Sequence, residues 1–342
     1  MATIKEVARR AGVSVGTVSN VLSKLPTVSP DLRKRVERAI AQMQYRPNQL
    51  ARSLKKQTTQ TLGLVISDIT NPFFPGIVRG AEDEAAERGY MLSIFNTDDR
   101  GDKEARVLEM LDGRRVDGVM LVPALQSHDF SQLRRLLEGG TPLLLIDREI
   151  ESPELHAFPV DSVRVDNRAG VQMGIAQMLE RGARRIAYLG GPEGLYISRE
   201  RLFGYEAALY QAGMAKDPGL IWTGDFREES GYRAVMQNYL RTKPDGIFIA
   251  NMLMSLGAAR AIEELGVRIP EETQVVTFDH FPLLDSFHPR ISAIAQPMYE
   301  IGKQAVRTML ERLADRNAPA KSIVLAAEWR EGETTRPLAL QD

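Results

Sequence analysis

Thr3-Ile4-Lys5-Glu6-Val7-Ala8-Arg9-Arg10-Ala11-Gly12-Val13-Ser14-Val15-Gly16-Thr17-Val18-Ser19-Asn20-Val21-Leu22 carries two helical stripes broken by one turn. Ile4, Val7, Ala8 and Ala11 recur at i, i+3, i+4 and i+7, the apolar face of a helix. Gly12 has the freedom to take the positive φ that ends such a helix. Ser14 is a good N-cap for the next, whose stripe is Val18, Val21 and Leu22. Two short helices joined by a tight glycine turn form a helix-turn-helix unit. Ser29-Pro30, a cap followed by a first-turn proline, predicts a third helix with Leu32, Val36, Ala39, Ile40 and Met43 inward. Residues 12–16 also match the G-x-S-x-G pattern of hydrolases, but that motif needs a strand before its serine. A helix precedes Ser14, so its reading is a cap and not a nucleophile.

Charge sets this segment apart. Residues 1–57 hold twelve Lys/Arg against three acids, which leaves 32 basic and 42 acidic residues for the rest of the 342. A small basic head on a large acidic body implies a polyanion partner for the head; the alternative is a solvated basic face. In a helix-turn-helix unit the second helix enters the DNA major groove. Val15, Gly16 and Asn20 are then the base-reading positions. Asn20 has the geometry to pair with adenine, Val15 to touch a thymine methyl, and Gly16 reads nothing. Thr17, Ser19, Lys24 and Arg9 suit phosphates, which orient without specifying.

Composition excludes several classes. The chain is 43% apolar and 26% charged, ordinary for a folded soluble protein, and the length predicts roughly two or three domains. No cysteine is present, which removes disulfides, thiolate metal sites and thiol nucleophiles. No two of the four histidines sit at i, i+4. No apolar run approaches a membrane span, and Lys5-Glu6 stands where a secretory signal would be apolar, so a cytoplasmic location is expected.

Thr3-Ile4-Lys5-Glu6-Val7-Ala8, Ala11-Gly12-Val13-Ser14, Thr17-Val18-Ser19 and Tyr45-Arg46-Pro47-Asn48 resemble the Lac repressor family, and the likeness runs from residue 2 to about 337. The resemblance implies a head at 1–46 and a hinge at 47–58. It further implies a two-lobed periplasmic-binding-protein-like core, with 59–161 and 291–322 in the first lobe and 162–290 and 323–342 in the second. The hinge reads independently as a helix too short to be stable alone, so residues 48–56 are expected to order against DNA and a partner subunit. The resemblance puts it in the minor groove, with Leu54 wedged into a base step and Lys55 beside it. The alternative is a flexible basic linker with Leu54 packed on the core.

From residue 62 the pattern alternates. Apolar runs at Leu62–Ile66, Met91–Phe95, Gly118–Val122 and Leu143–Ile146 are separated by helical stretches near 74–88, 103–113 and 128–138. The alternation recurs at Arg185–Leu189, Asp245–Ile249 and Gln274–Phe278. Such alternation predicts an α/β class with parallel sheets covered on both faces, and ligands bind beyond the strands' carboxyl ends. At those ends stand Asn71, Phe73, Phe74, Asp147, Arg148, Arg201, Phe226, Asn251, Asp279 and Gln296. Carboxylates accept from vicinal hydroxyls, Arg and Asn fork onto oxygens, and Phe covers an apolar ring face. The set is similar, position by position, to a ribose-binding pocket. Each residue also has a plainer reading: Asp147-Arg148 as a loop ion pair, Arg201 as a structural cap, Phe73 or Phe74 as core.

Asp147 and Asp279 form a possible glycosidase pair, but the resemblance implies binding without turnover, so no enzyme, metal or cofactor is expected. Gly190-Gly191-Pro192 lacks the spacing of a phosphate loop and reads as a turn. Three positions depart from the family: Met252 where an acid is common, and Leu195 and Ile197 where purine-responsive members carry polar groups. The expectation is a repressor, dimeric on a pseudo-palindromic operator and controlled by a pentose-like sugar acting as inducer; a purine or other corepressor is the alternative. The chain ends Leu338-Ala339-Leu340-Gln341-Asp342 without the leucine heptads of a tetramer, which favours a dimer.

Overall fold

The computed structural model describes residues 2–22, 26–45, 58–112, 116–125, 130–286 and 288–338. Lys24, Leu54, Lys55 and nearly all of the expected hinge lie outside them. The chain divides into two compact units, Met1–Thr59 and Gln60–Asp342.

In the first unit α1 (Ile4–Ala11) starts on a reciprocal cap. The Glu6 amide donates to Thr3 Oγ1 at 3.3 Å, and the Thr3 amide to Glu6 Oε2 at 2.7 Å. Gly12 ends it at φ +64°. The next helix, α2 (Val15–Leu22), begins with the Thr17 amide on Ser14 Oγ at 3.1 Å. In α3 (Pro30–Gln42) the proline holds the first position as expected, but Ser29 makes no side-chain cap bond. Arg35 of α3 instead braces the turn, donating to the Ala11 and Gly12 carbonyls at 2.8 and 3.2 Å. Val7, Ala8, Ala11, Val18, Val21, Val36 and Ala39 form the core that the stripes predict.

The second unit holds two six-stranded sheets. The elements of the first are β1 (Thr61–Ile66), α4 (Phe73–Glu87), β2 (Met91–Asn96), α5 (Gly101–Leu111), β3 (Gly118–Leu121), α6 (Ser131–Glu138), β4 (Leu143–Ile146) and β5 (Asp161–Val165). The second adds α7 (Asn167–Glu180), β6 (Ile186–Gly190), α8 (Tyr196–Gln211), β7 (Ile221–Thr223), α9 (Glu228–Thr242), β8 (Gly246–Ile249), α10 (Met252–Glu264), β9 (Gln274–Phe278) and β10 (Ser292–Ala295). Then α11 (Met298–Ala314), β11 (Ser322–Leu325) and β12 (Glu328–Arg330) close the chain. The strand orders are β11-β5-β4-β3-β1-β2, all parallel, and β12-β10-β9-β8-β6-β7, in which β12 alone runs antiparallel.

Hydrogen-bond partners correct the expected lobe boundaries. β5 pairs with β4 and β11, so the first lobe runs through Val165 and again through Leu325 rather than stopping at 161 and 322. β10 pairs with β9, so residues 292–295 belong to the second lobe although 291 was expected to begin the return. The crossings fall near residues 166, 296 and 326. Strand partnership is set by register and not by composition. A buried bidentate pair ties the returning helix to the first lobe: Arg312 of α11 donates to both oxygens of Asp161 on β5 at 2.9 and 2.8 Å.

Close helix contact tightens each lobe. A Cβ on Gly80 would lie 1.9 Å from the Tyr299 carbonyl oxygen, so α4 and α11 meet backbone to backbone. Gly257 stands 1.9 Å, by the same measure, from the Glu228 carbonyl oxygen of α9. No helix among the described residues is long and apolar enough to cross a membrane.

Candidate functional site

A cavity of about 350 Å³ opens between the lobes, at the carboxyl ends of the strands. All ten effector-site candidates line it. The first lobe supplies Asn71, Phe73, Phe74, Asp147 and Arg148, and the second supplies Arg201, Phe226, Asn251 and Asp279. Gln296 sits at the crossing after β10.

The loop after β1 is self-bonded. Asp68 accepts from the Thr70 amide at 2.9 Å and its hydroxyl at 2.6 Å, and Asn71 Oδ1 caps α4 through the Phe73 amide at 3.1 Å. Phe73 and Phe74 meet edge to face, 5.1 Å between centroids, and both are buried. They serve core and cavity wall at once.

After β4 the chain turns at Asp147, φ +65°. Arg148 donates to Asp99 at 2.6 Å and to the Pro123 carbonyl at 2.7 Å, and reaches Asp147 at 3.8 Å. Its ion pair is therefore with Asp99 first. Asp147 Oδ1 is buried with no hydrogen-bond partner. Burial pushes the Asp147 carboxyl up, against the pull of Arg148 and Arg201.

On the second lobe Arg201 is buried and held by the protein. It donates to Asn167 Oδ1 at 2.7 Å and to the Ala250 carbonyl, and its guanidinium lies 3.9 Å from the Phe278 ring centre. Asn251 caps α10 through the Met254 amide at 3.0 Å and donates to the Phe226 carbonyl at 2.9 Å. Phe226 packs on Gly191, where a Cβ would stand 2.0 Å from the ring; the predicted Gly-Gly-Pro turn thus seats an aromatic. Gln296 donates to Asp279, while its own Oε1 is buried without a partner. Burial raises the Asp279 carboxyl too, opposed by Arg201 and Gln296.

Backbone strain gathers here. Five of the eight described non-glycine residues at positive φ line the cavity: Asp98, Asp99, Asp147, Phe226 and Asp279. Such conformations cost free energy and concentrate where side chains must be aimed. Asp68, Thr70, Asp98, Asp99, Leu125, Asp225, Arg227 and Leu253 also line the cavity and were not among the candidates. Most follow strand ends or flank Phe226, so the strand-end rule had the signal to find them. Of the two departures at purine-contact positions, Ile197 lines the cavity. Met252 is the buried first residue of α10. No group of three or more His, Cys, Asp or Glu placed to hold a metal occurs among the described residues.

On the head, Val15 is 40% exposed, and Arg9, Gly16 and Asn20 are exposed as well. Ser19 is half-buried, and the Thr17 hydroxyl is bonded to Ser14 Oγ at 2.9 Å.

Comparison with known proteins bears on both units. A model of bacterial regulatory proteins of the lacI family matches residues 3–48, and one of periplasmic binding protein-like domains matches 175–335. The ribose operon repressor of Halalkalibacterium halodurans is 33% identical over 92% of this chain and 91% of its own. The HTH-type transcriptional repressor PurR of Photobacterium profundum is also 33% identical, over 93% of each. Among solved structures, the Lac repressor dimer bound to operator and the anti-inducer ONPF superposes with a TM-score of 0.84 at 25% identity, covering 98% of this chain and 99% of that one.

Proposed function

Because the chain belongs to the lacI family of bacterial regulatory proteins, a DNA-binding repressor with a small-molecule effector and not an enzyme, we propose that its effector is a monosaccharide of pentose-like size bound in the interlobe cavity. The observation that carries this reading is the pair of buried acceptors without donors, Asp147 Oδ1 and Gln296 Oε1, which line one cavity together with Asp279. Vicinal hydroxyls supply the missing donors, and Phe226 offers a flat face to the sugar's C–H side. Arg201 and Asn251 hold the wall in place through three of their donors, spent on Asn167, Ala250 and Phe226.

The sugar draws the lobes together, and the repressor, a dimer on a pseudo-palindromic operator, is released from DNA. Val15 and Asn20 read bases, and Arg9, Thr17 and Ser19 meet phosphates. Leu54, with Lys24 and Lys55, completes the DNA contacts. Coupling of about 1–3 kcal/mol gives a 5- to 150-fold switch. The Lac repressor dimer on its operator supports the two-fold arrangement, and the ribose operon repressor supports the sugar class. No cofactor is part of this reading, and the location is cytoplasmic.

A purine corepressor is the second reading, favoured by the equal identity to PurR. Ile197 in the cavity wall weighs against it, because an aliphatic side chain offers no hydrogen bond to a base edge. Thermal-shift and calorimetric titration with pentoses, hexoses and purines separates the two. A ligand at 100 Kd stabilises by about 2.7 kcal/mol. Binding of a purine with no response to any monosaccharide refutes the sugar.

A further inference from the structure

We propose that the cleft selects an effector carrying no phosphate or carboxylate, so that the regulator answers to a free sugar and not to its phosphate ester; the inference rests on the monosaccharide reading and sharpens it. The described lining residues include six aspartates, Asp68, Asp98, Asp99, Asp147, Asp225 and Asp279, against three arginines and no lysine.

The two buried or half-buried arginines are already engaged. Arg148 is matched by Asp99 at 2.6 Å, with Asp147 at 3.8 Å. Arg201 is turned onto Asn167, the Ala250 carbonyl and the face of Phe278. The third, Arg227, is exposed and stands two residues after Asp225. Outside the cavity wall, Lys103 neutralises one aspartate, Asp98. The remainder is negative.

Helix starts are the usual alternative anchor for an anion, through free backbone amides. Around the cavity the protein's own oxygens take one amide beside each of three helix starts, while α8 begins without a side-chain cap bond. Asn71 Oδ1 takes the Phe73 amide, Asn251 Oδ1 takes the Met254 amide, and Asp225 Oδ1 takes the Arg227 amide at 2.9 Å. Among the described lining side chains the buried atoms without a hydrogen-bond partner are two acceptors, Asp147 Oδ1 and Gln296 Oε1, and one donor, Arg148 Nε, which stands 3.8 Å from the Asp147 carboxylate. A phosphate brings further acceptors and negative charge, and meets acceptors and negative charge. A hydroxyl or a protonated amine brings the donors that are wanted. Like charges brought into a cleft of reduced dielectric repel far more strongly than in water. The protein therefore senses its sugar before a kinase-type reaction has phosphorylated it.

The test uses the full-length protein and isothermal calorimetry with matched pairs: ribose against ribose 5-phosphate, glucose against glucose 6-phosphate, adenosine against its 5′-monophosphate. Within whichever class binds, the unphosphorylated member is expected to bind at least 10-fold more tightly, about 1.4 kcal/mol. An ester that binds as well as or better than its parent overturns the proposal. The 5-O-methyl ether of ribose and the 6-O-methyl ether of glucose separate charge from bulk. An ether that keeps more affinity than the phosphate supports the charge argument, and one rejected as strongly overturns it. Binding confined to the adenosine pair removes the monosaccharide reading, while the preference within that pair still decides the charge rule.

Discussion

Replacing Asp147 by Asn should move ligand-free stability and ligand affinity in opposite directions. The carboxyl is buried, its Oδ1 has no partner, and burial raises its pKa in spite of Arg148 and Arg201. The ionised group is thus held at a cost until a ligand donates to it. Asparagine adopts the left-handed backbone required at φ +65° at least as readily, so the turn itself is not disturbed. Arg148 keeps its bonds to Asp99 and Pro123. Removing an uncompensated buried charge should stabilise the ligand-free body by about 1 kcal/mol. For a body of this size that is about 2–4 °C in Tm. Losing a charge-assisted bond to a sugar hydroxyl should cost about 1.5–3 kcal/mol, or 10- to 150-fold in Kd. The pH dependence follows from the raised pKa. Wild type carries the penalty above the folded-state pKa of Asp147 and sheds it as pH falls through that value, so the variant's Tm advantage should vanish on acidification. Scanning calorimetry without ligand and titration calorimetry with the sugar that binds measure both arms. A variant with lower Tm at neutral pH and unchanged affinity would refute the reasoning.

Three further outcomes are expected. Asn20→Ala should relax base choice at one position per half-site by about 1–3 kcal/mol, read from binding to a selected operator and its single-base variants; unchanged selectivity removes Asn20 from base reading. Gly257→Ala should destabilise by about 1–3 kcal/mol or more, because its Cβ would meet the Glu228 carbonyl at 1.9 Å and backbone must move; denaturant melts measure it, and a midpoint equal to wild type contradicts the close approach. Sugar binding should weaken as pH falls from neutrality and should release protons, since hydroxyl donors favour the ionised forms of Asp147 and Asp279, whose raised pKa values bring that loss to higher pH than for exposed carboxylates; calorimetry in two buffers of different ionisation heat reports the proton count, and uptake in place of release argues against hydroxyl donation.

The helical head was legible locally. Its stripes, its Gly12 terminus and its Ser14 cap depend on side chains within one or two turns, and these interactions are present in the folded unit. The same holds for the alternating runs of the body: Leu143–Ile146 and Gln274–Phe278 match their strands residue for residue. Strand ends, in turn, marked the cavity candidates other than Arg201, which lies inside α8, because a parallel sheet puts its loops on one edge whatever its strand order. Partnership across long sequence separations was a different matter. β5 joins β11 across some 160 residues, and β10 joins β9 in the lobe opposite to the one expected. A strand's neighbour is chosen by packing of the whole sheet, and nothing in Asp161–Val165 or Ser292–Ala295 encodes it. The electrostatic state of the cleft likewise emerged only on folding. Asp147 and Asp279 read in the chain as ordinary carboxylates. Burial raises both carboxyls, and the engagement of Arg148 and Arg201 elsewhere leaves Asp147 Oδ1 an unsatisfied acceptor; those are properties of a three-dimensional environment that no local spacing carries.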